Sequence, residues 1–96
     1  HIPIVIGGDH SSAAGTWAAI AKSHDCAGAF QLFWIDAHMD SHTPATAHEG
    51  KWGGWWHGMP VACLIGEGPE GLSDGPVVRP EDVHMIGIRS YEPGEE

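Results

Sequence analysis

The stretch FQLFWIDAHMDSHTP, residues 30–44, passes from an apolar run into acid, imidazole and acid at every second position. Phe30 to Ile35 has the composition of a buried, aromatic-rich strand. Asp36, His38 and Asp40 follow at i, i+2 and i+4, which places them on one side of an extended segment while Ala37 and Met39 face away. Such groups at the end of a buried strand cost several kcal/mol in desolvation unless something neutralises them. A divalent cation does so. Mixed imidazole and carboxylate without thiolate suits Mn, Fe, Ni or Zn better than Ca or a cysteine-type zinc site. A carboxylate can also bridge two ions, and such pairs activate a shared water.

Working outward, IPIVIGG (2–8) reads as a buried strand closed by a glycine turn. Ser11 or Ser12 can cap the next element, and Ala13, Ala14, Trp17, Ala18, Ile20 and Ala21 recur at helical spacing, predicting a helix over about 12–23. Residues 40–56 read as a loop. Pro60 suits the first turn of a second helix through VACLIG, which Gly66 and Gly68 can end. GEGPEGLSDGPVVRP reads as a polar surface loop, and DVHMIGI (82–88) as a third strand. Strand, helix, strand, helix, strand is the alternation of an α/β protein with a parallel sheet. Ligands gather at the carboxyl ends of such strands. If the first two strands are parallel neighbours, His10 in GGDH arrives at the same edge as Asp36, His38 and Asp40.

Taken singly, each of these residues has an ordinary structural reading. His10 can donate to a carbonyl at a helix entry, Asp40 can close a turn, and Asp36 can pair with a surface base. The D-x-H-x-D spacing together with a second histidine after Gly-Gly favours a metal site. His24, His48 and His84 read as surface or loop residues.

Composition narrows the function classes. Thirteen acids against four bases give a formal charge of −9, and the bases (Lys22, Lys51, Arg79, Arg89) are scattered. A nucleic-acid binder needs a basic patch, so that class is disfavoured. No apolar run nears the roughly 20 residues that a bilayer crossing needs, so no membrane partner is expected. Cys26 and Cys63 have neither metal-type nor redox-type spacing and read as buried thiols of a reducing, cytoplasmic setting. Ninety-six residues suit one small domain or part of a larger one.

GGDHS (7–11), DAHMDSHTP (36–44), HGMP (57–60) and IGIRSYEPGE (86–95) resemble, in that order, the signature stretches of the ureohydrolases, the arginase and agmatinase family. HGMP and EPGE look more like the arginase branch. The resemblance implies a three-layer α/β/α sandwich on a mostly parallel sheet, assembled into homo-trimers or hexamers. It implies a binuclear manganese centre that activates water for attack on a guanidinium carbon, releasing urea. By position it assigns His10, Asp36 and Asp40 to one Mn2+ ion, His38 to the second and Asp36 to both, with His57 as the proton-shuttling catalytic histidine.

Two departures from the family pattern bear on function. A later D-x-D segment and a later glutamate, which the family uses as further metal and guanidinium ligands, have no counterpart in residues 1–96. Residues 1–96 are therefore expected to form a partial domain lacking its C-terminal part and inactive by itself. The substrate-gripping positions also differ. His42 stands where arginases carry an asparagine, Glu92 stands where they carry an aspartate near the substrate amine, and EGKWGGWW precedes His57. Trp52, Trp55 and Trp56 read either as an aromatic wall against a guanidinium or apolar tail, or as a loop or subunit contact. The substrate the resemblance implies is arginine, or alternatively agmatine or another guanidino or formimino compound. A non-catalytic remnant of the fold is the third reading.

Overall fold

A computed structural model describes residues 2–23, 30–47, 55–72 and 75–96. Helix α1 spans Ser12–Ser23 and strand β1 Leu32–Ile35. Helix α2 spans Pro60–Ile65 and strand β2 Val83–Ile86. Single 3-10 turns cover Trp56–Gly58, Pro80–Asp82 and Pro93–Glu95. The polar segments 24–29 and 48–54 hold His24, Cys26, His48 and Trp52, so the expectations for these residues lie outside the described set.

The two strands pair in parallel, as the alternation of elements predicts, with Leu32 opposite Val83, Trp34 opposite Met85 and Ile35 opposite Ile86. Leu32 and Trp34 point into a core completed by Ala13 of α1, by Val61 and Leu64 of α2, and by Val78. Both helices therefore cover one face of the sheet. Val78 comes from the stretch expected to be a polar surface loop. It is buried because Val77 and Val78 both donate backbone N–H bonds to the Leu64 carbonyl, at 2.9 and 3.1 Å.

Two strand expectations are corrected. The apolar segment 2–8 forms no strand. Ile2, Ile4 and Ile6 are 92%, 86% and 93% exposed. A strand needs a ladder partner, and among the described residues β1 pairs with β2 alone. Nor is β1 buried on both faces, since Phe33 and Ile35 lie open opposite Leu32 and Trp34. The described residues supply the sheet and one helical layer of an α/β fold.

Local chemistry sets the helix ends. Ser12 donates its hydroxyl to the Asp9 carbonyl (2.8 Å), and Ser11 donates its backbone N–H to the Asp9 carboxylate (2.9 Å), fixing the chain's entry into α1. The Ser11 hydroxyl donates to the same carboxylate, and this bond with the backbone one holds the Asp9 carboxyl below its ordinary range. Pro60 opens α2, and Gly66 closes it in the left-handed conformation at φ 92°.

Candidate metal centre

The carboxyl end of β1 is clamped from two sides. The Ala37 carbonyl accepts N–H bonds from Arg89 and Ser90, at 3.0 and 3.1 Å, which ties the DAHMD turn to the segment leaving β2. The Asp40 carbonyl accepts from Val61 N–H at 2.9 Å, and His42 N–H donates to the Gly58 carbonyl at 3.0 Å, which ties it to HGMP. At Gly87 the backbone takes φ 86°, and a Cβ there would sit 3.2 Å from the Asp36 carbonyl oxygen. Gly87 thus permits β2 to leave the sheet close against the turn that carries Asp36.

This scaffold brings His10, Asp36 and Asp40 together. His10 Nδ1 lies 2.9 Å from Asp36 Oδ2 and 2.7 Å from Asp40 Oδ2. One donor atom from each residue falls within 4.8 Å of the others. Asp36 is oriented by its second oxygen, which accepts the His38 backbone N–H at 3.0 Å. His38 is exposed and sits beside this group rather than in it, its Nδ1 3.5 Å from Asp36 Oδ1. The convergence does not come from simple strand alternation. Asp40 has φ 52°, so the chain curls at that residue instead of continuing extended. His10 arrives from a coil, not from the end of a strand.

The donor set fits a divalent cation. Adjacent ligands of an octahedral ion with bonds of ~2.1 Å lie about 3 Å apart, close to the spacings at His10. Two carboxylates beside one imidazole are also electrostatically costly alone. Burial raises the Asp40 carboxyl above its ordinary value, with Asp36 adding to the rise, while His10 and His38 oppose it. His10 stacks on Trp34, ring centroids 4.3 Å apart and planes 23° off parallel. Trp34 is buried and its indole N–H has no hydrogen-bond partner among the described residues, a cost of ~1–3 kcal/mol.

A cavity of about 250 Å3 opens beside the cluster, lined by His38, Asp40, His42, His57, Tyr91, Glu92 and Glu95 among others. His57, on the turn Trp56–Gly58, faces it with Trp55 alongside, ring centroids 5.9 Å apart. Trp55 and Trp56 are exposed. His42 is buried and both ring nitrogens are engaged, with Nδ1 3.2 Å from Thr46 Oγ1 and Nε2 3.0 Å from Glu92 Oε2. Glu95 also lines this cavity, and the sequence reading did not single it out. Its buried carboxylate accepts from the Glu92 backbone N–H at 2.8 Å and lies 3.7 Å from His42 Nε2. The spacing Glu92–Glu95 across a proline, a capping box, was the signal available.

The whole of residues 1–96 matches the family model described as Arginase family. The chain belongs to the arginase family. It is 43% identical over 97 residues to an arginase of Bacillus subtilis (strain 168), covering 97% of this chain and 30% of the relative. An arginase of Bacillus caldovelox is 41% identical over the same length and coverage. Among solved structures, the arginase from Bacillus cereus superposes with a TM-score of 0.81 at 37% identity, over 99% of this chain and 32% of that one. The Entamoeba histolytica arginase in complex with L-ornithine gives 0.77 at 37% identity, over 93% and 30%. The arginase-family chain thus spans about 30% of the length of its relatives, and its fold is the corresponding part of the arginase fold.

Proposed function

We propose that the protein carrying this chain is a manganese-dependent hydrolase that cleaves a guanidino group and releases urea. The observation that carries the proposal is the convergence of His10, Asp36 and Asp40 at the edge of the sheet in a chain of the arginase family. In this reading His10, Asp36 and Asp40 hold one Mn2+. Asp36 and His38 would hold a second. When bound, two such ions supply Lewis-acid activation of water near neutral pH. His57 lines the cavity and is the group that holds or moves a proton for the leaving amine. Glu92, braced by His42 and Glu95, offers a carboxylate to a cationic substrate tail.

Coverage of about 30% of the relatives supports reading residues 1–96 as part of a larger domain; the family resemblance implies a homo-trimer or hexamer for the whole protein. A reducing, cytoplasmic setting is the reading that suits the buried thiol of Cys63. No helix among the described residues is long and apolar enough to cross a membrane.

Arginine is the first substrate to test. Agmatine or another guanidino compound is a second reading, favoured by one observation. His42 spends both ring nitrogens on Thr46 and Glu92, so it is poorly placed to grip a substrate carboxylate. The deciding experiment is urea release by the Mn2+-loaded full-length protein across L-arginine, agmatine and guanidino acids. Urea from at least one substrate supports the proposal. Tight Mn2+ binding with no urea from any would refute it and leave the non-catalytic reading.

A further inference from the structure

We infer that Trp34 is a positioning residue for the metal centre, a platform that presents the imidazole of His10 to the cation. The inference rests on the metal site proposed for His10, Asp36 and Asp40. His10 lies outside any regular element, on a segment whose residues 2–9 are exposed. Among the described residues its backbone is tied to α1, where the Ala13 N–H donates to the His10 carbonyl at 3.0 Å. That bond does not fix the ring. The described features that do are the two carboxylates at Nδ1 and the indole face 4.3 Å away.

The two carboxylates cannot orient the ring for an ion, because they are ligands themselves and must release Nδ1 when the ion enters. The indole keeps its contact through that exchange. Trp34 is itself immobile, since it is paired with Met85 in the sheet and packed into the core. It also holds its place with the indole N–H unpartnered among the described residues. Ligand-orienting partners typically change metal affinity by 10- to 100-fold when lost.

The test is Mn2+ affinity in the full-length protein, measured by electron paramagnetic resonance of free Mn2+, for wild type, Trp34→Phe, Trp34→Met, His10→Ala and the Trp34→Met/His10→Ala pair. Trp34→Phe keeps an aromatic face and should stay within a few-fold of wild type. Trp34→Met fills the space without one and should lose roughly tenfold. In the His10→Ala background the same change should cost nothing further, because the indole acts through His10. A folded Trp34→Met protein with unchanged affinity, or an equal loss with and without His10, would overturn the inference. Wild type that takes up no Mn2+ would instead sink the metal reading, and this inference with it. One measurement needs no variant. In metal-free protein labelled at histidine, the His10 ring protons should resonate upfield of the other imidazoles from the indole ring current. Their absence from that region would also overturn the inference.

Discussion

His10 Nδ1 lies 2.7 Å from Asp40 Oδ2, although a helix and a strand separate the two residues in sequence. Neither residue sits in regular structure. Each is held by a neighbour: Asp40 by its backbone bond from Val61 at the start of α2, His10 by its bond to Ala13 in α1. The centre is therefore an assembly of helix entries around one strand end, and its residues should separate by role when changed singly. Asp36→Ala and His38→Ala in the full-length protein should abolish turnover by removing metal. His57→Ala should slow turnover by about 10²- to 10⁴-fold, the usual contribution of a positioned acid or base, and leave the metal in place. Metal analysis beside the kinetics decides this, and equal metal loss in all three would refute the role given to His57.

Ion binding should also appear as stability. A ligand that binds only the folded state adds about 2.7 kcal/mol when its free concentration is 100-fold above Kd. Thermal melts of the full-length protein should rise with Mn2+ and fall back with a chelator, and Asp40→Ala should remove the increment. A Mn2+-independent melt of the wild type would contradict the site.

Gly87→Ala tests the clamp behind Asp36. The backbone there has φ 86°, and a Cβ would meet the Asp36 carbonyl oxygen at 3.2 Å. Holding a side chain in the left-handed region costs ~1–2 kcal/mol, and relief of the contact must shift the turn bearing Asp36. The variant should lose about that much in chemical denaturation and bind Mn2+ more weakly. A loss of stability with unchanged Mn2+ affinity would show that the turn does not depend on Gly87.

Much of this organisation is legible in sequence where a local rule governs it. The apolar spacing after Ser12 marks α1, and Pro60 and Gly66 bracket α2. The alternation of elements gives the parallel pairing of β1 with β2. Non-local outcomes are not legible. Segment 2–8 has strand composition, yet a strand exists only where a neighbour supplies its ladder. The left-handed turn at Asp40 has no local signal, because aspartate tolerates that conformation without requiring it. Glu95 becomes buried through Ser41 and His42, residues far from it in sequence. The stacking of His10 on Trp34 depends on α1 delivering a coil residue over the sheet, which no single stretch encodes.

Away from the centre, Asp82 gives a pH prediction. The Arg79 side chain, donating from Nε at 2.6 Å, and Gln31 hold its carboxyl below the ordinary value against the opposing effect of burial. A folded-state pKa below the unfolded one means that the unfolded chain binds the proton more readily. The contribution is then fully present above the unfolded value of about 4 and fades as pH falls through the folded value. Wild type should be more stable than Asp82→Asn at pH 7, and the gap should close below about pH 4. A gap independent of pH would mean that the carboxylate charge contributes nothing.

His42→Ala distinguishes the substrate side of the cavity from the metal side. The imidazole bridges Thr46 and Glu92 from a buried position, and Glu95 lies behind it. Removing it strips Glu92 of one partner and leaves two carboxylates closer to facing each other without the ring between. Loss of such a partner costs ~1–3 kcal/mol, which denaturation should register. His42 lies outside the cluster of His10, Asp36 and Asp40, so Mn2+ content should be preserved. Turnover should show a raised KM as Glu92 swings away from the cavity, with kcat less affected, because the interaction lost is with the bound substrate's tail and not with the reacting carbon. If Mn2+ is lost together with stability, His42 supports the Asp40 turn rather than the substrate pocket. An unchanged KM with full metal content would remove Glu92 from the substrate-binding set.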